Sequence, residues 1–196
     1  MYYDEQSFNI PELEGISQEQ IDVHLKLYSG YVTNTNYLLE KIAELSEDPD
    51  NNKILMDELQ RRLGFEFDGM RLHEYYFEQL EDGAQEPDSN SAFIEALTEQ
   101  YGGFESWLED FKRVSGLRGI GWTITYYDPK AGYFHNAWVS DHELGHLAGL
   151  PVVFNMDMWE HAFMVDYLPS EKGQYKDAYI GNVNWSVVEE RFEQVS

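Results

Sequence analysis

The sequence predicts an α+β fold: an N-terminal antiparallel helical hairpin, then an α/β half with a small three-stranded antiparallel sheet. Three observations carry this. Apolar residues recur at helical spacing from Ile21 to about Leu45 and again from Leu59 to Leu80, with a short polar break between. Past residue 120 the period shortens to that of strands. Between these halves lies Asp82-Gly83-Ala84-Gln85-Glu86-Pro87-Asp88-Ser89-Asn90, rich in turn formers. It separates an expected hairpin domain, 1–85, from an expected α/β domain, 86–196.

Residues 1–16 read as an arm containing Pro11. Ser17-Gln18-Glu19-Gln20 fits a capping box, a hydroxyl followed three places later by Gln. The first helical stripe runs Ile21, Leu25, Tyr28, Val32, Thr35, Leu38 and Leu39. The second runs Leu59, Leu63, Phe67, Met70, Phe77 and Leu80. Residues 47–52 form the break, short enough to lay the helices antiparallel. After the linker, helices are expected at about 91–101 and 104–117, parted by Gly102-Gly103. Residues 122–127 and 133–139 flank a turn at Asp128-Pro129-Lys130-Ala131-Gly132 and form a hairpin. A short third strand follows at 151–156, and one helical tail spans about 173–193.

Composition narrows the partners. The chain has 196 residues, 13 basic against 37 acidic side chains, a formal charge of −24 and no cysteine. Its 42% hydrophobic and 15% aromatic content supports a sizeable core despite that charge. Acidity argues against nucleic acid, whose binding needs Lys and Arg clusters, and against anionic membrane surfaces. No apolar run approaches the ~20 residues of a membrane span. The start lacks a basic n-region and an apolar stretch, so a dissolved cytoplasmic protein is expected. Without cysteine there are no disulfides, thiolate metal sites or Cys nucleophiles.

Six histidines carry most of the chemistry. His24 falls on the first stripe and His73 on the second. Either alone is more often a hydrogen-bonded core histidine. Two on facing helices are how metal sites are built inside bundles. Asp157 and His161, four apart, would share one side of a helical turn, as a local hydrogen-bonded pair or as a metal pair. The four together, three imidazoles and a carboxylate, suit a first-row metal such as iron or manganese.

These residues sit in segments that resemble the iron/manganese superoxide dismutase family. "HLKLYSGYVTNTN" is similar to its first helix and "MRLHEYYF" to its second. "GLRGIGW" looks like its approach to the first strand, "DMWEHAFMVDY" is the most specific match, and "NVNW" is similar to its tail motif. The resemblance implies His24, His73, Asp157 and His161 as ligands of one Fe or Mn ion. It implies Tyr31 as gateway and proton donor, and apolar walls from Trp122, Trp159 and Phe77. It also implies superoxide as substrate and a homodimer or higher oligomer in which Glu160 reaches the partner's His161. Some family patterns are missing. Leu27 or Tyr28 and Met164 replace a His–Tyr pair, Phe77 replaces a Trp, and an anion-attracting Arg is absent, with Lys172 nearby. Gly69 stands where a glutamine would bond the metal's solvent. His142 is the expected substitute, with the space vacated at Gly69 to receive it, and this exchange favours iron slightly.

One motif competes. His142-Glu143-Leu144-Gly145-His146 matches H-E-x-x-H, the zinc peptidase pattern of two ligands and a general base. A peptidase is therefore the alternative. It is disfavoured because the segment lies between two expected strands, where a catalytic helix lacks room. A metal-binding relative with weak catalysis is a further alternative.

Overall fold

A computed structural model describes residues 2–196. Helix α1 (Gln18–Leu45) begins where Ser17 Oγ accepts the Gln20 N–H at 3.1 Å. The capping box is only half made. Gln20 does not turn back on the cap but reaches across to the His161 carbonyl and Val165 N–H, while Asp166 takes the Ser17 N–H. The stripe Ile21, His24, Tyr28, Val32, Thr35 and Leu38 is buried, as its period requires.

Helix α2 (Pro49–Glu78) starts inside the expected polar break, leaving only residues 46–48 as the turn. Pro49 explains this: at the first helical position its missing N–H costs no hydrogen bond and its φ is already helical. Only the C-terminal half of α2 is deeply buried, with Gly69, Met70, Leu72, His73, Tyr76 and Phe77 inward. Its last turn holds no basic residue of its own. Arg191 supplies one from the end of the chain, bonding the Tyr75 carbonyl and the Glu78 carboxylate, and also Gln79 and the Val153 carbonyl.

Helices α3 (Ala92–Tyr101) and α4 (Phe104–Ser115) lead into strands β1 (Gly121–Asp128), β2 (Tyr133–Ser140) and β3 (Val152–Asp157). The sheet order is β2-β1-β3, all antiparallel, with Trp122 opposite both Val139 and Asp157. Central β1 is buried at six successive residues, Gly121 to Tyr126, so helices cover both faces and its Thr residues are inside. The single expected tail is two helices, α5 (Lys172–Gly181) and α6 (Trp185–Glu193). Asn184 stops the first from continuing, because its side chain caps α6 through Ser186 N–H and its own N–H binds the Gln79 carbonyl. Among the described residues no helix is long and apolar enough to cross a membrane.

Candidate metal centre

The two helical histidines meet between α1 and α2, with ring centroids 4.9 Å apart and both side chains buried. Asp157 is the last residue of β3, delivered beside Trp122 by the strand register. His161 lies in a single 3-10 turn, Glu160–Ala162. The expected helical turn joining the two is therefore absent; a strand end and a sharp turn bring them together instead. Asp157 Oδ2 stands 3.1 Å from His24 Nε2, 3.1 Å from His161 Nε2 and 3.6 Å from His73 Nε2. The four donor atoms all lie within 4.8 Å of one another.

Hydrogen-bond logic shows that this cluster suits a cation. His73 Nδ1 is 2.5 Å from the Gly69 carbonyl, which can only accept, so Nδ1 carries the proton. Burial holds the His73 pKa well below its ordinary value, and its neighbour His24 adds to this, so the ring is neutral. Its Nε2 then presents a lone pair, buried and without a hydrogen-bond partner, toward the Asp157 carboxylate. A lone pair facing a carboxylate is repulsive unless positive charge lies between them. Metal bonds of about 2.1 Å at roughly 95° would set two donors about 3.1 Å apart, as found. Burial alone would raise the Asp157 pKa, but His161 and His24 hold it well below the usual range, so the carboxylate is ionised.

Outer contacts fix the donors. Trp159 N–H binds Asp157 Oδ1 at 2.7 Å, Tyr175 O–H binds the Asp157 carbonyl, and Gln20 holds the His161 carbonyl. Phe77 packs on His24, Trp122 on His73 and Trp159 on His161, giving the apolar walls that the sequence suggested.

Tyr31 stacks on His73 at 5.1 Å and meets His142 through a 2.7 Å bond to Nε2. Gly69 makes this possible, though not as expected. The space it vacates is filled by the Tyr31 ring, since a Cβ there would lie 2.6 Å from Tyr31 Cδ1. His142 is buried and receives the Trp122 Nε1–H on Nδ1 at 2.9 Å. Indole only donates, so neutral His142 carries its proton on Nε2 and gives it to the Tyr31 oxygen. The Tyr31 hydroxyl proton is thereby left free to point elsewhere. Burial pushes the His142 pKa down to about 4, keeping it neutral near pH 7. Burial and the Asp157 and Glu66 carboxylates push the Tyr31 phenol up.

The rival motif fails on the same logic. Asp141 and Gly145 have φ of +52° and +113°, and Ser140 bridges Leu144, so the segment is a turn and not a helix. His146 Nε2 donates to the His142 carbonyl and its Nδ1 takes the Tyr126 hydroxyl. Neither histidine keeps a lone pair for zinc. Sequence reasoning missed Gln20, Phe65 and Arg62. Gln20 read as a cap, and the other two sit on a helix stretch whose partners arrive from the second half of the chain.

Among the described residues, fold and site together fit a metal centre of three histidines and one aspartate set between a helical hairpin and an α/β half. Residues 5–81 match the model for the iron/manganese superoxide dismutase alpha-hairpin domain, and residues 89–191 match that for the C-terminal domain of the same family. The chain belongs to the iron/manganese superoxide dismutases. It is 31% identical over 185 residues to a protein of Sulfolobus acidocaldarius named as an iron superoxide dismutase, covering 91% of this chain and 86% of the relative. An iron superoxide dismutase of Aquifex aeolicus is 34% identical over 187 residues, covering 93% and 86%. A manganese enzyme of Haloferax volcanii is 29% identical over 168 residues, covering 85% and 81%.

Proposed function

We propose that this chain is a superoxide dismutase with one Fe or Mn ion held by His24, His73, Asp157 and His161, and that iron is its usual metal. The observation that carries the reading is the buried His73 lone pair set beside the Asp157 carboxylate in a cluster of four converging donors, an arrangement that a bound cation relieves. An iron or manganese ion held by these four side chains would supply the redox chemistry, alternating between 3+ and 2+ so that two superoxide anions and two protons would become dioxygen and hydrogen peroxide. One carboxylate among neutral imidazoles keeps the net charge of the buried centre low in both states. Tyr31 supplies a proton to the departing peroxide. His142 holds the Tyr31 oxygen and, through Trp122, keeps its own proton on Nε2. Trp122, Trp159 and Phe77 exclude bulk water.

The domain division falls at 85/86, within the stretch between α2 and α3 where Asp82 and Gly83 both take left-handed backbone. The working form is a homodimer, supported by exposed Val23 and Leu27 on α1 and by Met164 and Val165 just after His161. Exposed Glu160 reaches the partner's His161 in that dimer. Its compartment is the cytoplasm, which fractionation of the host tests. The decisive experiment measures dismutation by the chain loaded separately with iron and with manganese, alongside metal analysis of protein from its own host. Absence of dismutation with either metal at full occupancy overturns the proposal.

A further inference from the structure

A chain of charge −24 repels a small anion at long range, so delivery depends on local positive charge at the opening of the centre. The ligands His24, His73 and Asp157 are buried, and the accessible rim is made by partly exposed Tyr31, Phe65, Trp159 and His161. Phe65 is the hub of that rim: its ring lies 4.7 Å from His142, 6.3 Å from Tyr31 and 6.5 Å from Trp159. Over Phe65, at 3.8 Å from ring centroid to guanidinium carbon, lies Arg62.

Arg62 is held in place, not loose. Its Nε and Nη2 bind one oxygen of Glu66 at 2.8 and 2.7 Å, and Asn34 binds the other at 3.2 Å. Glu66 is buried, whereas the Arg62 side chain is 53% exposed. The pair is thus a dipole with its positive end outward. Two of the five guanidinium N–H groups are used on Glu66, leaving three for an arriving anion. We propose that Arg62 draws the superoxide anion to the Tyr31–His142 rim, with buried Glu66 orienting it and moderating its charge. This rests on the dismutase function proposed above.

Lys172, the cation the sequence suggested, lies over Trp138 on β2, 5.7 Å from its ring; burial and Lys176 lower its pKa, against an opposing pull from Asp157 and Glu160, so it is the competing source of attraction. The competing explanation is that Arg62 only neutralises Glu66. The two differ in sign at Glu66. A steering pair gains when Glu66 loses its charge, whereas a structural pair gains nothing.

The test compares Arg62→Gln, Arg62→Lys, Glu66→Gln, the Arg62→Gln/Glu66→Gln double variant and Lys172→Gln, each metal-loaded and checked for metal content. Fast kinetics would be run from about 0.01 M to about 1 M ionic strength, over which the Debye length falls from about 30 Å to about 3 Å. Sodium azide, a small anion, would be titrated against the absorption of the metal centre. Arg62→Gln should lower kcat/KM about three- to tenfold at low salt and weaken azide similarly, with kcat near the parent and the gap closing at high salt. Arg62→Lys should retain most of the effect, and Glu66→Gln should raise kcat/KM. The double variant, which leaves no unpaired buried charge, should still lose it. Parent-like kcat/KM and azide affinity in Arg62→Gln, or a loss that follows Lys172→Gln, overturns the proposal. A parent that binds azide through Arg62 without dismutating would instead fault the function, so the two failures are distinguishable.

Discussion

Gly69→Ala isolates the contact on which the Tyr31–His142 pair depends. The new methyl would sit 2.6 Å from Tyr31 Cδ1 and 2.8 Å from Cε1, where ordinary contact begins at 3.4 Å. The ring must therefore retreat by about 0.8 Å, a sub-ångström shift in a site where a 1 Å misplacement can cost about a hundredfold in rate. The same retreat lengthens or bends the 2.7 Å bond to His142, by up to about 0.8 Å if the ring moves along it. Overpacking costs about 1–3 kcal/mol, but Ala in place of Gly inside a helix returns about 1 kcal/mol. Net destabilisation should then be about 0–2 kcal/mol, a Tm change of at most about 8 °C for a chain of this size. Activity should fall at least tenfold while metal content holds, because the ligands are not displaced. Tyr31→Phe should lose a similar factor, and the double variant should be little worse than either, since both act on one hydroxyl. The assays are dismutation by fast kinetics, metal per chain and thermal melting. Parent activity in Gly69→Ala, or additive losses in the double variant, refutes the reasoning.

Three further outcomes are expected. Asp157→Ala removes the only anionic donor, so metal per chain should collapse; metal at a thousandfold its Kd contributes about 4 kcal/mol, and that stabilisation should vanish in melts with and without metal. His142 has a folded pKa of about 4, below its unfolded value of 6.5, so the unfolded chain binds the extra proton between them and stability should fall as pH drops from 6.5 to 4. His142→Gln, which can accept from Trp122 and donate to Tyr31, should flatten that slope and keep activity, whereas His142→Ala should lose activity with most metal retained; pH-dependent melts and assays of the three proteins decide. Glu160→Ala should shift a homodimer toward monomer at low concentration, read by sedimentation, and a parent monomeric at micromolar concentration would contradict the bridge.

The parts legible in the sequence were those set by local period. His24 and His73 stood on stripes that had to face inward, so their meeting followed from the hairpin alone. Asp157 and His161 were identified, but spacing gave them the wrong local geometry, because a strand end followed by a 3-10 turn also brings residues four apart together. Gln20 satisfied the capping pattern while its side chain served His161 from 141 residues away. Gly69 showed that a space existed, but not which ring would fill it. Periodicity describes an element's own faces; Arg62, Phe65 and Gln20 draw their roles from what crosses the gap.

The centre takes His24 and His73 from one half of the chain and Asp157 and His161 from the other, with His24 and Asp157 133 positions apart in sequence. An ion held there closes a very long loop, as a covalent crosslink would. Three of its donors are fully enclosed, so loss of the ion should be coupled to opening between the hairpin and the α/β half. Exchange of the ion should then be as slow as that opening, and the metal in the purified protein should follow the supply present when the two halves first closed.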